Sequence, residues 1–181
     1  MWFAKNRLLG YIGQITYRNG AQKMFRNMRR FKQELSHEEC VRILKEQPRG
    51  VLSLIGDDGY PYGVPIDYWY SEDDNKLYFH GAGEGHKMDA VKKCDKTSFC
   101  VYDGGYRKDG EWALNINSVI VFGRMKVVDD RDKILEICTN ICLKFTDDKE
   151  YIEQEISRSG SRVCCLELVV EHMTGKLVKE S

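Results

Sequence analysis

Between Leu77 and Met88 the chain reads Leu-Tyr-Phe-His-Gly-Ala-Gly-Glu-Gly-His-Lys-Met. An apolar run meets three glycines in five residues, Gly81, Gly83 and Gly85, and His86 and Lys87 follow at once. Such a turn leaves backbone N–H groups uncovered. A cation beside it, at the start of a helical pattern, completes what a phosphate ester requires. His80 ends the apolar run beside the first glycine. It can face a bound ring or cap backbone carbonyls, and spacing alone allows both. The stretch predicts a phosphorylated cofactor.

The elements that must hold this turn are short. Ser36-His37-Glu38-Glu39 is a capping box that opens a helix, and Pro48 stops it. Residues 50–55 form a first strand, and Asp57-Asp58-Gly59 is a hairpin loop that tolerates positive φ. A second strand covers 62–70, with Pro65 marking a bulge or an edge. Glu72-Asp73-Asp74-Asn75 turns into a third strand at 76–80. After the glycine turn come a short helix near 86–94, a fourth strand at 97–102 and a fifth at 117–128. Ile134, Ile137, Cys138, Ile141 and Phe145 recur at helical spacing within 130–145, and a further helix covers 148–157. A final strand runs from Arg162 to Val170, extended by a turn at Gly175.

Six short strands, the first three joined by tight turns, argue for an antiparallel barrel with flanking helices. A Rossmann unit is the competing reading, because Gly81-x-Gly83-x-Gly85 lies between strand and helix and Asp103 lies about twenty residues on. That fingerprint wants a glycine where His86 stands, and the hairpins upstream lack its alternating helices.

Of 181 residues, 42% are hydrophobic and 11% aromatic, enough for one packed domain. Net charge is zero but unevenly spread. Residues 1–33 hold eight Lys or Arg and no acid, which leaves the rest at −8. The expectation is a leader over 1–27 and a folded domain over 28–181. The leader is either an over-extended start, with Met28 or Met24 as initiator, or a basic tail for an acidic partner or anionic membrane surface. It is a poor secretory signal. The seven cysteines include no Cys-x-x-Cys pair, and Cys138/Cys142 and Cys164/Cys165 are neither metal nor disulfide spacings. They suit a reducing cytoplasm. No apolar run approaches a membrane span, and nothing points to nucleic acid. His80 and His86 lack a third metal ligand nearby. His37 and His172 read as solvated. Tyr60, Tyr62, Tyr68, Trp69 and Tyr70 read mainly as barrel packing, with one or two available to a flat ring.

Several of these pieces occur together in a known order. They are Arg49-Gly50-Val51-Leu52-Ser53, then Gly59-Tyr60-Pro61-Tyr62-Gly63-Val64-Pro65, then Tyr78-Phe79-His80-Gly81-Ala82 with Gly85-His86-Lys87. Ser118-Val119-Ile120-Val121-Phe122-Gly123-Arg124 and Glu171-His172-Met173-Thr174-Gly175-Lys176 follow. From Arg29-Arg30 onward the chain resembles the nitroimidazole-resistance (Nim-type) branch of the pyridoxamine 5′-phosphate oxidase-like, FMN-binding split-barrel proteins.

The resemblance implies a six-stranded antiparallel split β-barrel that forms a homodimer and holds FMN at the dimer interface. It implies that Val64, Pro65, Ile66 and Asp67 lie along the isoalloxazine ring. Phe79, His80, Gly81 and Ala82 would pass beneath the ribityl chain, and Gly85, His86 and Lys87 would meet the phosphate. Ser118 and Val119 would also line the site. His80 would be the catalytic residue, giving a hydrogen bond or proton to a small, nitroaromatic-type substrate, with NAD(P)H as electron donor. A single phosphate-type turn favours FMN over FAD. The oxidases themselves carry Arg-Lys at His86-Lys87 and an Arg-rich C-terminal motif that is missing here, which argues against pyridoxamine phosphate as substrate. Trp112-Ala113-Leu114-Asn115 also departs from the Phe-Thr-Thr-Asn expected of the branch. The alternative class is a non-catalytic flavin- or haem-binding split barrel.

Overall fold

The computed structural model describes residues 25–160 and 162–179. The expected leader over 1–27 therefore falls mostly outside the described residues. Helix α1, His37–Glu46, starts where the capping box places it. Ser36 Oγ accepts from the Glu39 N–H at 3.2 Å, and the Glu39 carboxylate accepts from the Ser36 N–H at 2.8 Å. Cys40, Val41, Ile43 and Leu44 form its buried stripe.

Seven strands follow: β1 Arg49–Ile55, β2 Pro61–Asp67, β3 Trp69–Ser71, β4 Lys76–Ala82, β5 Lys96–Tyr102, β6 Asn115–Val128 and β7 Val163–Lys179. Helices α2, His86–Lys93, α3, Arg131–Cys142, and α4, Lys149–Ser159, are the other α-helices among the described residues. All strand pairs are antiparallel, in the order β2-β1-β5-β6-β7-β4-β3. The two edges, β2 and β3, are consecutive in sequence and separated only by Tyr68, which is fully buried. The sheet therefore curls until its edges share one piece of chain, which is a split barrel. An all-antiparallel sheet excludes the Rossmann reading.

The expected second strand, 62–70, is two strands, so the described residues form seven and not six. The chain leaves β1 at Asp67 and joins β4 at Trp69. Pro65 does lie on an edge, where its missing N–H costs no ladder bond. The final strand needs no turn at Gly175. β7 runs unbroken because that glycine is a point of close approach, where a Cβ would strike Cys40 and Leu35. A bulge between Phe122 and Gly123 lets β6 and β7 bend, and a Cβ on Gly123 would collide with the Val169 carbonyl.

The barrel is filled by Leu52, Tyr68, Leu77, Phe79, Phe99, Val119, Val121 and Leu168. A second core lies outside it, where α3 covers one face of β4 and β7 with Tyr78, Cys165, Val128, Ile137, Cys138 and Ile141. His37 is exposed as expected. His172 is not solvated. It is half-buried, its ring stacked on Phe25 at 4.6 Å and lying 6.2 Å from Phe122. No helix among the described residues is long and apolar enough to cross a membrane.

Candidate functional site

Strand alternation decides which part of β4 can meet a ligand. Leu77 and Phe79 point into the barrel, while Tyr78 and His80 point out of it. Phe79 is fully buried and has only its backbone to offer. His80 stands between two hollows on the outer face. One, of about 410 Å³, is lined by Arg49, Pro65, Ile66, Asp67 and His80. The other, of about 260 Å³, is lined by His80, Cys138, Cys142, Glu155, Ile156 and Val163 among others.

The His80 Nδ1 is buried without a hydrogen-bond partner. Burial pushes its pKa below the ordinary histidine value. The Asp67 carboxylate opposes that shift and the Lys87 ammonium adds to it. The ring is therefore neutral at pH 7, with one nitrogen donating and the other accepting. Asp67 is itself held by Arg49, Nε to Oδ1 at 2.6 Å.

The glycine turn lies one step further along. Gly85, at φ +99°, caps α2 without a side chain, so the first-turn N–H groups keep their outward donors. Lys87 extends from that turn back over Gly81. Its ammonium is half-buried, burial lowers its pKa, and no carboxylate among the described residues ion-pairs with it. A half-buried cation without a carboxylate partner among the described residues, above an uncapped helix start, suits a phosphate ester. The orphaned His80 nitrogen and the Gly81–Lys87 cradle thus fit a phosphorylated ring cofactor.

His86 is engaged elsewhere. Its ring stacks on Tyr62 at 4.1 Å, and its Nε2 lies 3.6 Å from Asp57, which Lys93 holds at 2.7 Å. Lys87 is therefore the cation of the pair that reaches the cradle. Ala82 and Gly85 are exposed beside it, and Val64 is half-buried against the barrel core.

Ser118 and Val119 are not brought to this group. Val119 faces the core with no exposure. Ser118, on β6, pairs with Tyr102 of β5 and Lys176 of β7, and its Oγ donates to the Lys176 carbonyl at 3.4 Å. By the sheet order β6 is three strands from β2 and two from β4, and Ser118 lies ten residues along β6 from Val128, which is level with His80 through Cys165.

The second hollow and its thiols were missed from the sequence. Cys165 is the ladder partner of His80, and Cys138 comes from α3. Both contacts are long-range, and no spacing signals them. Among the described residues no cluster of His, Cys, Asp and Glu could hold a metal ion, and all seven cysteines are free.

Several solved structures share the fold. A protein assigned to 5-nitroimidazole antibiotic resistance from Bacteroides thetaiotaomicron aligns with a TM-score of 0.68 at 18% identity, covering 81% of this chain and 87% of that one. An FAD-binding protein from Mesorhizobium loti gives 0.57 at 22%, covering 80% and 96%. An FAD and haem binding protein from Mycobacterium smegmatis gives 0.60 at 19%, covering 83% and 74%. No curated protein matches the chain in sequence. A profile of the pyridoxamine 5′-phosphate oxidase family matches residues 36–177, nearly all of the barrel and its helices, and the chain belongs to that family.

Proposed function

We propose that this protein is an FMN-dependent reductase of small acceptors, nitroaromatic compounds among them, acting as a cytoplasmic homodimer with NAD(P)H as electron donor. The observation that carries the reading is the neutral, orphaned Nδ1 of His80 at the wall of the 410 Å³ hollow, one residue from the Gly81–Lys87 cradle. Lys87 and the uncapped N–H groups of α2 would hold the phosphate. Pro65, Ile66 and Asp67 lie on an edge strand whose outer backbone groups have no ladder partner, and these suit the polar rim of a flat ring. A bound flavin supplies hydride acceptance and transfer of one or two electrons. His80 holds a proton on one ring nitrogen and accepts on the other, so it can orient an acceptor and deliver a proton to it. Arg49 and Asp67 set the local charge.

The homodimer answers the position of Ser118. A residue ten positions along β6 from Val128, the residue level with His80 through Cys165, reaches a ligand at His80 most simply from a second copy. The fold likeness to an FAD and haem binding protein favours a second reading, a non-catalytic flavin or haem carrier. Both readings are tested on purified protein. The first expects yellow protein that releases FMN and oxidises NAD(P)H faster when a nitroaromatic is added. Recovery of FAD alone overturns the FMN assignment, a Soret band supports the haem reading, and bound flavin without turnover supports the carrier.

A further inference from the structure

The second hollow beside His80 takes no part in the cofactor cradle, and four separate elements build it. Cys138 and Cys142 come from α3, Ile156 from α4, Val163 from the start of β7 and His80 from β4. These elements are fixed to one another. Tyr78 and Cys165 of the sheet share a core with Ile137 and Ile141 of α3. Arg131, at the start of α3, donates to the carbonyl of Gly160, the C-cap of α4, at 2.8 Å.

The chemistry of the hollow is one-sided. Its walls are aliphatic carbon and sulfur, from Ile156, Val163, Cys138 and Cys142. An apolar cavity of about 150 Å³ already holds a benzene ring, so the 260 Å³ here admits a ring with a substituent. Two side chains interrupt the apolar wall. One is the neutral His80 imidazole. The other is the Glu155 carboxylate, whose partner Arg158, at 2.8 Å, stands mostly in solvent. No Lys or Arg among the described residues lines the hollow. An anion there would meet a like charge and no cation, while a hydroxyl or amino hydrogen finds an acceptor in Glu155.

We propose that this hollow is a second small-molecule site, taking a neutral monocyclic arene that carries a hydroxyl or amino group. The ring lies among Ile156, Val163 and the two α3 cysteines, where sulfur packs well against an aromatic edge. The polar hydrogen is donated to Glu155. So placed, the ligand covers the side of the His80 imidazole that faces α3 and leaves that ring reachable from the Arg49–Asp67 hollow alone. The proposal does not rest on the identity of the cofactor.

The test uses the full chain as purified and reads thiols rather than turnover. Cys142 is partly exposed and lines the hollow, whereas Cys94 and Cys100 are partly exposed and lie outside it. Alkylation by N-ethylmaleimide is followed by peptide mass mapping. Phenol should slow the reaction at Cys142 about tenfold as the site fills. It should leave Cys94 and Cys100 unchanged, and benzoate at the same concentrations should leave all three unchanged. Ile156→Phe, which puts a ring of its own into the hollow, should abolish the phenol effect. Equal rates at Cys142 with and without phenol overturn the proposal, as does equal protection by benzoate or equal slowing at Cys94. A Cys142 that resists the reagent without phenol shows a closed hollow and overturns it as well. The three rates in the unaltered chain decide the matter even if the variant fails to fold. They stand apart from the flavin reading, which released cofactor and NAD(P)H oxidation decide.

Discussion

Lys87 lays its side chain back over Gly81, so that a Cβ on Gly81 would stand 2.5 Å from the Lys87 Nζ. The glycine is needed for the lysine's position and not for an unusual backbone angle, since its φ is not positive. Gly81→Ala therefore meets the movable end of a side chain. We expect stability to change by less than about 1 kcal/mol and FMN affinity to fall about tenfold as Nζ is displaced. Urea unfolding and a flavin titration of the same samples check the two halves.

Lys87→Ala removes the charge itself. The expected loss of FMN affinity is about 1.5–3 kcal/mol, the range of a charge-assisted hydrogen bond. His86→Ala should cost less, because that ring is stacked on Tyr62. Equal losses at both positions would place His86 at the phosphate after all.

Burial holds the folded-state pKa of His80 below its unfolded value of about 6.5. Below that pH the unfolded chain takes the proton first, so stability is full above about pH 6.5 and declines as pH falls toward the folded pKa. His80→Gln should remove this component. Urea midpoints between about pH 7.5 and 5.5 should fall less steeply for the variant than for the parent, and identical slopes would count against a buried neutral ring.

Gly123→Ala drives a methyl group into the Val169 backbone at the β6–β7 bulge. Backbone cannot yield as a side chain can, so a loss of about 3 kcal/mol is expected. Thermal melting measures it directly.

The sequence suggests that a chain beginning at Met28 keeps flavin and stability whole. Phe25, however, stacks on His172 at 4.6 Å and 9°. A chain beginning at Met28 should therefore lose about 1 kcal/mol relative to one beginning at Met24, with flavin content unchanged. Paired melting curves check this.

Local chemistry was legible wherever it fixed local structure. Ser36 and Glu39 announced α1, Asp58 and Gly59 the positive-φ loop, and Gly81 to Lys87 the turn and its cation. The break at Tyr68 was not legible. Tyr60, Tyr62, Tyr68 and Tyr70 share parity, so one continuous strand fits the pattern as well as two that part at a buried tyrosine. Gly175 misled for a related reason. A glycine demanded by a neighbour's sulfur looks the same in sequence as one demanded by a turn. The partner of His86 and the thiols behind His80 depend on pairings across tens of residues, which no local pattern carries.

The position of β7 has a consequence for synthesis. It is the last of the described strands, yet it lies between β6 and β4, and the ion pair of Lys76 with Glu167 joins residues 91 apart. Until the C-terminal segment leaves the ribosome, the strand that carries His80 and leads to the glycine turn has only the three-residue β3 beside it. Such high contact order makes barrel closure slow. A nascent chain halted before Val163 would show an unfinished sheet edge and no cofactor cradle, and would be a substrate for chaperones rather than a partly working protein.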